Sequence, residues 1–160
     1  METTRSILVQ TDFTVNSLNL AIKALDSASD SEQVCLILGY GITLTDSIMD
    51  LLFFSETKLI QTMRSEHFDE ALDVIRNRYS KTIFSIQFRR FSGFTKSAFD
   101  NYVSGIGATE AIVDQGLEVN LPRNGSFNIN PFILNSSLPV TEVLSEKVIN
   151  VYDKVHFVWG

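Results

Sequence analysis

Five strand-like apolar runs, spaced by stretches of helical periodicity, constrain the fold of this chain more than any other feature. They are "SILVQT" (Ser6 to Thr11), "QVCLILGYG" (Gln33 to Gly41), "TIFSIQF" (Thr82 to Phe88), "ATEAIVDQG" (Ala108 to Gly116) and "LPVTEVL" (Leu138 to Leu144). The second scarcely alternates between apolar and polar residues, as expected of a strand covered on both faces. After the first run, Thr14 offers a helix N-cap, and Leu18, Ala21, Ile22, Leu25 and Ala28 form one stripe. A long helix is expected from about Ser55 to Ser80, with Ile60, Met63, His67, Ala71, Val74 and Ile75 along one face. Phe94, Ala98 and Tyr102 mark a third helix, and Pro131 to Ser136 a short one. This alternation predicts an α/β protein, an open five-stranded parallel sheet with helices on both faces. Ligands of such sheets sit outside the carboxyl ends of the strands. Asp12 would stand at the end of the first.

With 160 residues the chain is expected to form one domain. Its 44% hydrophobic and 20% charged residues are ordinary for a globular protein. No apolar run approaches the roughly 20 residues a membrane helix needs. The opening "METTRSILVQTDF" reads as a strand rather than a cleavable leader. The single cysteine, Cys35, leaves no internal disulfide to form and fits a reducing compartment, so a cytoplasmic protein is expected. A net charge of −6 argues against a nucleic-acid surface, which needs clustered Lys and Arg. His67, His156 and Cys35 do not stand at ligand spacing, so no zinc site is expected. His67 reads as a packed boundary residue, and Cys35 as a small core residue. Arg89 and Arg90 close the third strand on the same edge as Asp12, either to meet an anion or to lie solvated. No G-x-S-x-G, Walker A or G-x-G-x-x-G motif occurs, and no enzyme is expected.

The stretch "ILVQTDFTVNSLNLAIKAL" resembles the opening of a universal stress protein, which typically reads I-L-V-P-T-D-F-S before a helix. "KSAFDNYVSGIGATEAIVDQG" is similar to that family's third helix and fourth strand, and "GSFNINPFILNSSLPVTEV" to its last helix and fifth strand. The resemblance implies a sheet of order 3-2-1-4-5 and frequent homodimers through the last strand. In nucleotide-binding members it also implies a loop G-x2-G-x9-G-[ST] that cradles the phosphates of ATP, with the Asp after the first strand helping to hold the nucleoside. Here Asp12 matches that Asp, Gly116 the second glycine, and Gly125 with Ser126 the final pair. The match is degenerate. The first glycine position falls on Val113, eight residues instead of nine separate Gly116 from Gly125, and Glu118 puts a negative charge in the loop.

Two structures compete for "LEVNLPRNGSFNINPF", Leu117 to Phe132. One is a phosphate loop running into a helix at Ser126. The other is a β-hairpin insertion over residues 117–130, turning at Arg123, Asn124 and Gly125, with Leu117, Val119, Leu121, Phe127 and Ile129 on one face. Pro131 favours the hairpin. It would sit about five residues into a helix begun at Ser126, where an N–H is needed, but falls at the first helical position if Asn130 is the N-cap. Asp12 likewise has a plain alternative to ligand contact, capping the turn that follows it.

The expected organisation is a domain over residues 1–145 and a C-terminal extension, 146–160, packed on the domain or in a dimer contact. In that extension Val155, Phe157 and Trp159 stand at strand spacing. The expected function is a non-enzymatic module acting through homodimerisation, protein contacts or a small ligand at the strand ends, without tight ATP binding. The alternative is an ATP-binding member with at most slow hydrolysis.

Overall fold

The computed structural model describes residues 3–145. Its strands are β1 (Thr3–Gln10), β2 (Glu32–Ile42), β3 (Ile83–Phe91), β4 (Glu110–Asp114), β5 (Ser126–Phe127) and β6 (Val140–Val143). Its helices are α1 (Leu18–Asp26), α2 (Asp46–Phe54), α3 (Glu56–Gln61), α4 (Glu66–Arg78), α5 (Lys96–Ile106) and α6 (Asn130–Leu134). The sheet runs β3-β2-β1-β4-β6 with parallel pairings throughout, the expected 3-2-1-4-5 order with β6 as the fifth strand. No helix among the described residues is long and apolar enough to cross a membrane. The expected extension, with His156 and its apolar residues, lies outside the described residues.

Both faces of the central strands are covered, which explains why their sequences do not alternate. Ile7, Val9, Leu36 and Leu38 point into one core with Leu18, Ala21 and Leu25 of α1 and Phe68, Leu72 and Ile75 of α4. Leu8 and Ile37 point into the other, with Phe99 of α5 and Ile133 of α6. At the amino end of the sheet, Arg5 forks onto Glu110 at 3.0 and 2.6 Å and sets β4 against β1.

The long helix expected from Ser55 to Ser80 is two helices. Thr62 turns its hydroxyl back onto the Leu59 carbonyl, and Ser65 caps a new start by accepting the Phe68 N–H at 3.1 Å. The break resets the helical phase. Phe68 and Leu72 face the core, while Val74 is 47% exposed and the His67 side chain 88% exposed. His67 is therefore a surface residue, not a packed one. Cys35 is half-buried, with the Ser85 hydroxyl on its sulfur at 3.3 Å.

The hairpin is also corrected. The expected turn exists: Ser126 N–H donates to the Arg123 carbonyl at 3.1 Å, and Gly125 has φ +94°. Its two arms do not pair with each other. Ser126 and Phe127 instead lie antiparallel on Ile42 and Gly41 of β2. The reason is where β1 stops. Gln10 is opposite Gly39, so β2 outruns its neighbour and leaves that edge open at Gly41 and Ile42. A strand already fixed in a sheet is a better partner than the other arm of an isolated ribbon. As expected, no helix starts at Ser126; α6 begins at Asn130 with Pro131 in its first turn. Asn130 is not its cap: Ile129 holds the cap position without a side-chain capping bond, and the Asn128 side chain accepts the Asn130 N–H at 2.9 Å.

Candidate functional site

β1 ends where the sheet's carboxyl edge opens. Thr11 N–H still donates to the Gly39 carbonyl at 2.8 Å, and two residues later Phe13 takes φ +63°. The left-handed region is costly for a bulky side chain and persists only when its surroundings impose it. Here the Phe13 N–H donates to the Thr11 hydroxyl at 3.1 Å. Its ring is buried against Tyr40, Phe68 and Phe88, with centroids 5.3, 5.8 and 5.8 Å away. The kink aims Asp12 back across the strand ends.

Asp12 is 7% exposed, and both of its oxygens are engaged. Oδ1 accepts the Thr14 N–H at 3.1 Å and the Thr14 hydroxyl, which fixes the turn into the helical segment. Oδ2 accepts the Asn120 N–H at 2.7 Å. That second contact comes from more than a hundred residues away, so the segment after β4 folds back over the end of β1.

The other matched residues are dispersed. Ser126 lines the same crevice as Asp12, together with Phe13, Tyr40, Met63 and Leu121. Gly125 stands at the turn, its carbonyl accepting the Thr43 N–H at 2.7 Å. Gly116 sits at the end of β4 against Ser145, whose carbonyl oxygen would lie 2.0 Å from a Cβ placed there. Val113 is a core residue within β4. Glu118 is exposed on the rim of a second crevice shared with Asp12, Asp114 and Asn130. The two crevices have free volumes of about 10 and about 20 Å³, room for about one water each.

Arg90 at the end of β3 pairs with Glu56, which also accepts the Tyr40 hydroxyl at 3.0 Å. Burial pushes that hydroxyl's pKa up to about 12, so it stays a donor. Arg89 is exposed, with Gln87 Oε1 at 3.5 Å. Among the described residues no cluster of His, Cys, Asp and Glu could hold a metal ion.

Several residues that shape this edge were not singled out from sequence. Gln10 is 5% exposed and clamps the returning chain: its Oε1 accepts the Ile129 N–H at 2.6 Å, and its Nε2 donates to Asn128 Oδ1 at 2.9 Å. Its signal was a polar residue inside the run "ILVQT". Gly41 leaves room where a Cβ would meet the Phe127 carbonyl at 2.6 Å, and its signal was the paired glycines of "LGYG". Asp114 is 2% exposed and closes "AIVD" much as Asp12 closes "ILVQTD".

The architecture is similar to solved universal stress proteins. UspA from Lactobacillus plantarum aligns with a TM-score of 0.55 at 12% identity, over 87% of this chain and 97% of that one. A universal stress protein from Burkholderia pseudomallei aligns at 0.51 and 13% identity, over 86% and 94%. The hypothetical protein MJ0577 aligns at 0.54 and 16% identity, over 90% and 98%. No protein-family profile and no curated protein sequence matches the chain. The chain has the universal-stress-protein fold, and at these identities the likeness is one of fold.

Proposed function

We propose that this chain is a universal-stress-protein-like module that works without enzymatic turnover, through protein contacts or a small ligand, and does not bind ATP tightly. The observation that carries this reading is the Asn120 N–H on Asp12 Oδ2. The carboxylate oxygen that would face a nucleoside already has a donor from the chain itself. The groups that would face phosphates are engaged as well. Ser126 N–H is held by the Arg123 carbonyl, and the N-terminus of α6 lies beyond Asn128, on a helix of only five residues. Phosphate recognition needs several free N–H groups converging on one anion. Calorimetry with MgATP is expected to give a dissociation constant poorer than about 100 μM, or less than roughly 6 kcal/mol. Low-micromolar binding lost in Asp12→Ala would overturn this reading in favour of an adenine-nucleotide-binding protein.

The proposed contacts include a second copy. β6 is an edge strand among the described residues, and Leu144 just beyond it is 76% exposed. Unpaired strand edges and exposed apolar side chains both favour association. Light scattering at micromolar concentration should give twice the 18.0 kDa mass of the chain. A clean monomer there would contradict the proposal.

A further inference from the structure

The segment that closes the crevice is held unevenly along its length. Residues 125–130 are stitched to the sheet: Gly125 accepts from Thr43, Ser126 and Phe127 pair with β2, and Gln10 grips Asn128 and Ile129. From Leu117 to Pro122, by contrast, the one main-chain hydrogen bond to the rest of the protein among the described residues is Asn120 N–H on Asp12. Leu117 and Val119 are only half-buried, and Leu121 is 53% exposed, so lifting this stretch uncovers little apolar surface. Both ends are anchored. At one end Gly116 donates its N–H to Asp114 at 2.9 Å. At the other the Arg123 guanidinium reaches the Thr62 hydroxyl at 2.7 Å, tying the segment to the α3–α4 connection beside Met63 of the crevice wall.

We propose that residues 117–122 are a lid that opens on its own while the strap at 125–130 stays in place, with the Arg123–Thr62 bond as its outer latch. Segments with few buried contacts and a single internal hydrogen bond open locally far more often than the body of a domain unfolds. Opening breaks the Asn120–Asp12 bond, returns Asp12 Oδ2 to water and uncovers the aromatic wall of Phe13 and Tyr40. The latch sits outside the crevice, so anything that engages Arg123 or Thr62 changes how often Asp12 is exposed. The lid rests on the reading that the chain occupies its own crevice, but not on whether ATP binds there.

Native-state amide hydrogen exchange on the full chain, read residue by residue by NMR, tests it. After correction for intrinsic rates, Asn120 should exchange about a hundredfold or more faster than Ile129, whose N–H is on Gln10 in the fixed strap. Arg123→Met should speed Asn120 about tenfold more, the factor a charge-assisted hydrogen bond carries, and leave Ile129 unchanged. Thr62→Val, which also removes the latch, should act in the same direction. Equal rates for the two amides in the wild type would overturn the lid. So would variants that speed both amides alike, or neither. Tight MgATP binding by calorimetry would defeat the proposed function while leaving these rates standing.

Discussion

Asp12 and Asp114 end neighbouring parallel strands, and each accepts one main-chain N–H from two residues on and one from a distant segment. For Asp114 the donors are Gly116 N–H at 2.9 Å, Ser145 N–H at 3.0 Å and the Ser145 hydroxyl. Burial pushes its pKa up, but the hydrogen bonds from Ser145 and Gly116 outweigh that and hold it below the ordinary carboxylate value. The folded value therefore lies below the unfolded one. The stability Asp114 contributes is complete above about pH 4 and is lost as pH falls through the folded value. Urea midpoints measured from about pH 6 down to about pH 2 should fall more steeply for the wild type than for Asp114→Asn, which lacks the titration. Parallel profiles would show that Asp114 is not held as described. Asp12 was legible in the sequence because it follows a strand inside a recognisable opening. Asp114 was equally visible, but its partner Ser145 lies beyond the next strand, and nothing local announces that pairing.

At the scale of elements, the strands and their order were legible and the partners of short segments were not. The turn at Arg123–Gly125 and the late start of α6 follow from local rules: a glycine where φ is positive, and a proline that cannot sit inside a helix. Which strand Ser126 and Phe127 join depends on β2 outrunning β1, a difference in length that only the assembled sheet reveals. The same limit split the long helix, because apolar residues continue in near-register across Thr62–Ser65 while two hydroxyls end one helix and start the next. Gly41 tests the sheet extension. In Gly41→Ala the new Cβ would meet the Phe127 carbonyl at 2.6 Å and Ile129 Cγ2 at 2.8 Å, so β5 must shift away. Denaturant unfolding should show a loss of about 1–3 kcal/mol, the usual cost of overpacking. An unchanged midpoint would mean that β5 does not lie on β2.

At the scale of the molecule, the sheet order brings the carboxyl ends of the central strands together beside Asp12, as the sequence led one to expect, and that is the edge at which ligands of such sheets bind in general. What the sequence did not show is that the chain fills that edge. Occupation depends on contacts spanning more than a hundred residues, from Gln10 to Ile129 and from Asp12 to Asn120. A universal-stress-protein fold with its crevice closed from within is a different object from one with an open crevice, though their secondary structures read alike. The most direct test is NMR detection of the coupling carried through the hydrogen bond from the Asn120 nitrogen to the Asp12 carboxylate carbon. This coupling is expected in the ligand-free protein, and the Asn120 amide resonance should not move on addition of MgATP. No coupling, together with an Asp12 carboxylate resonance that shifts as MgATP is added, would contradict it.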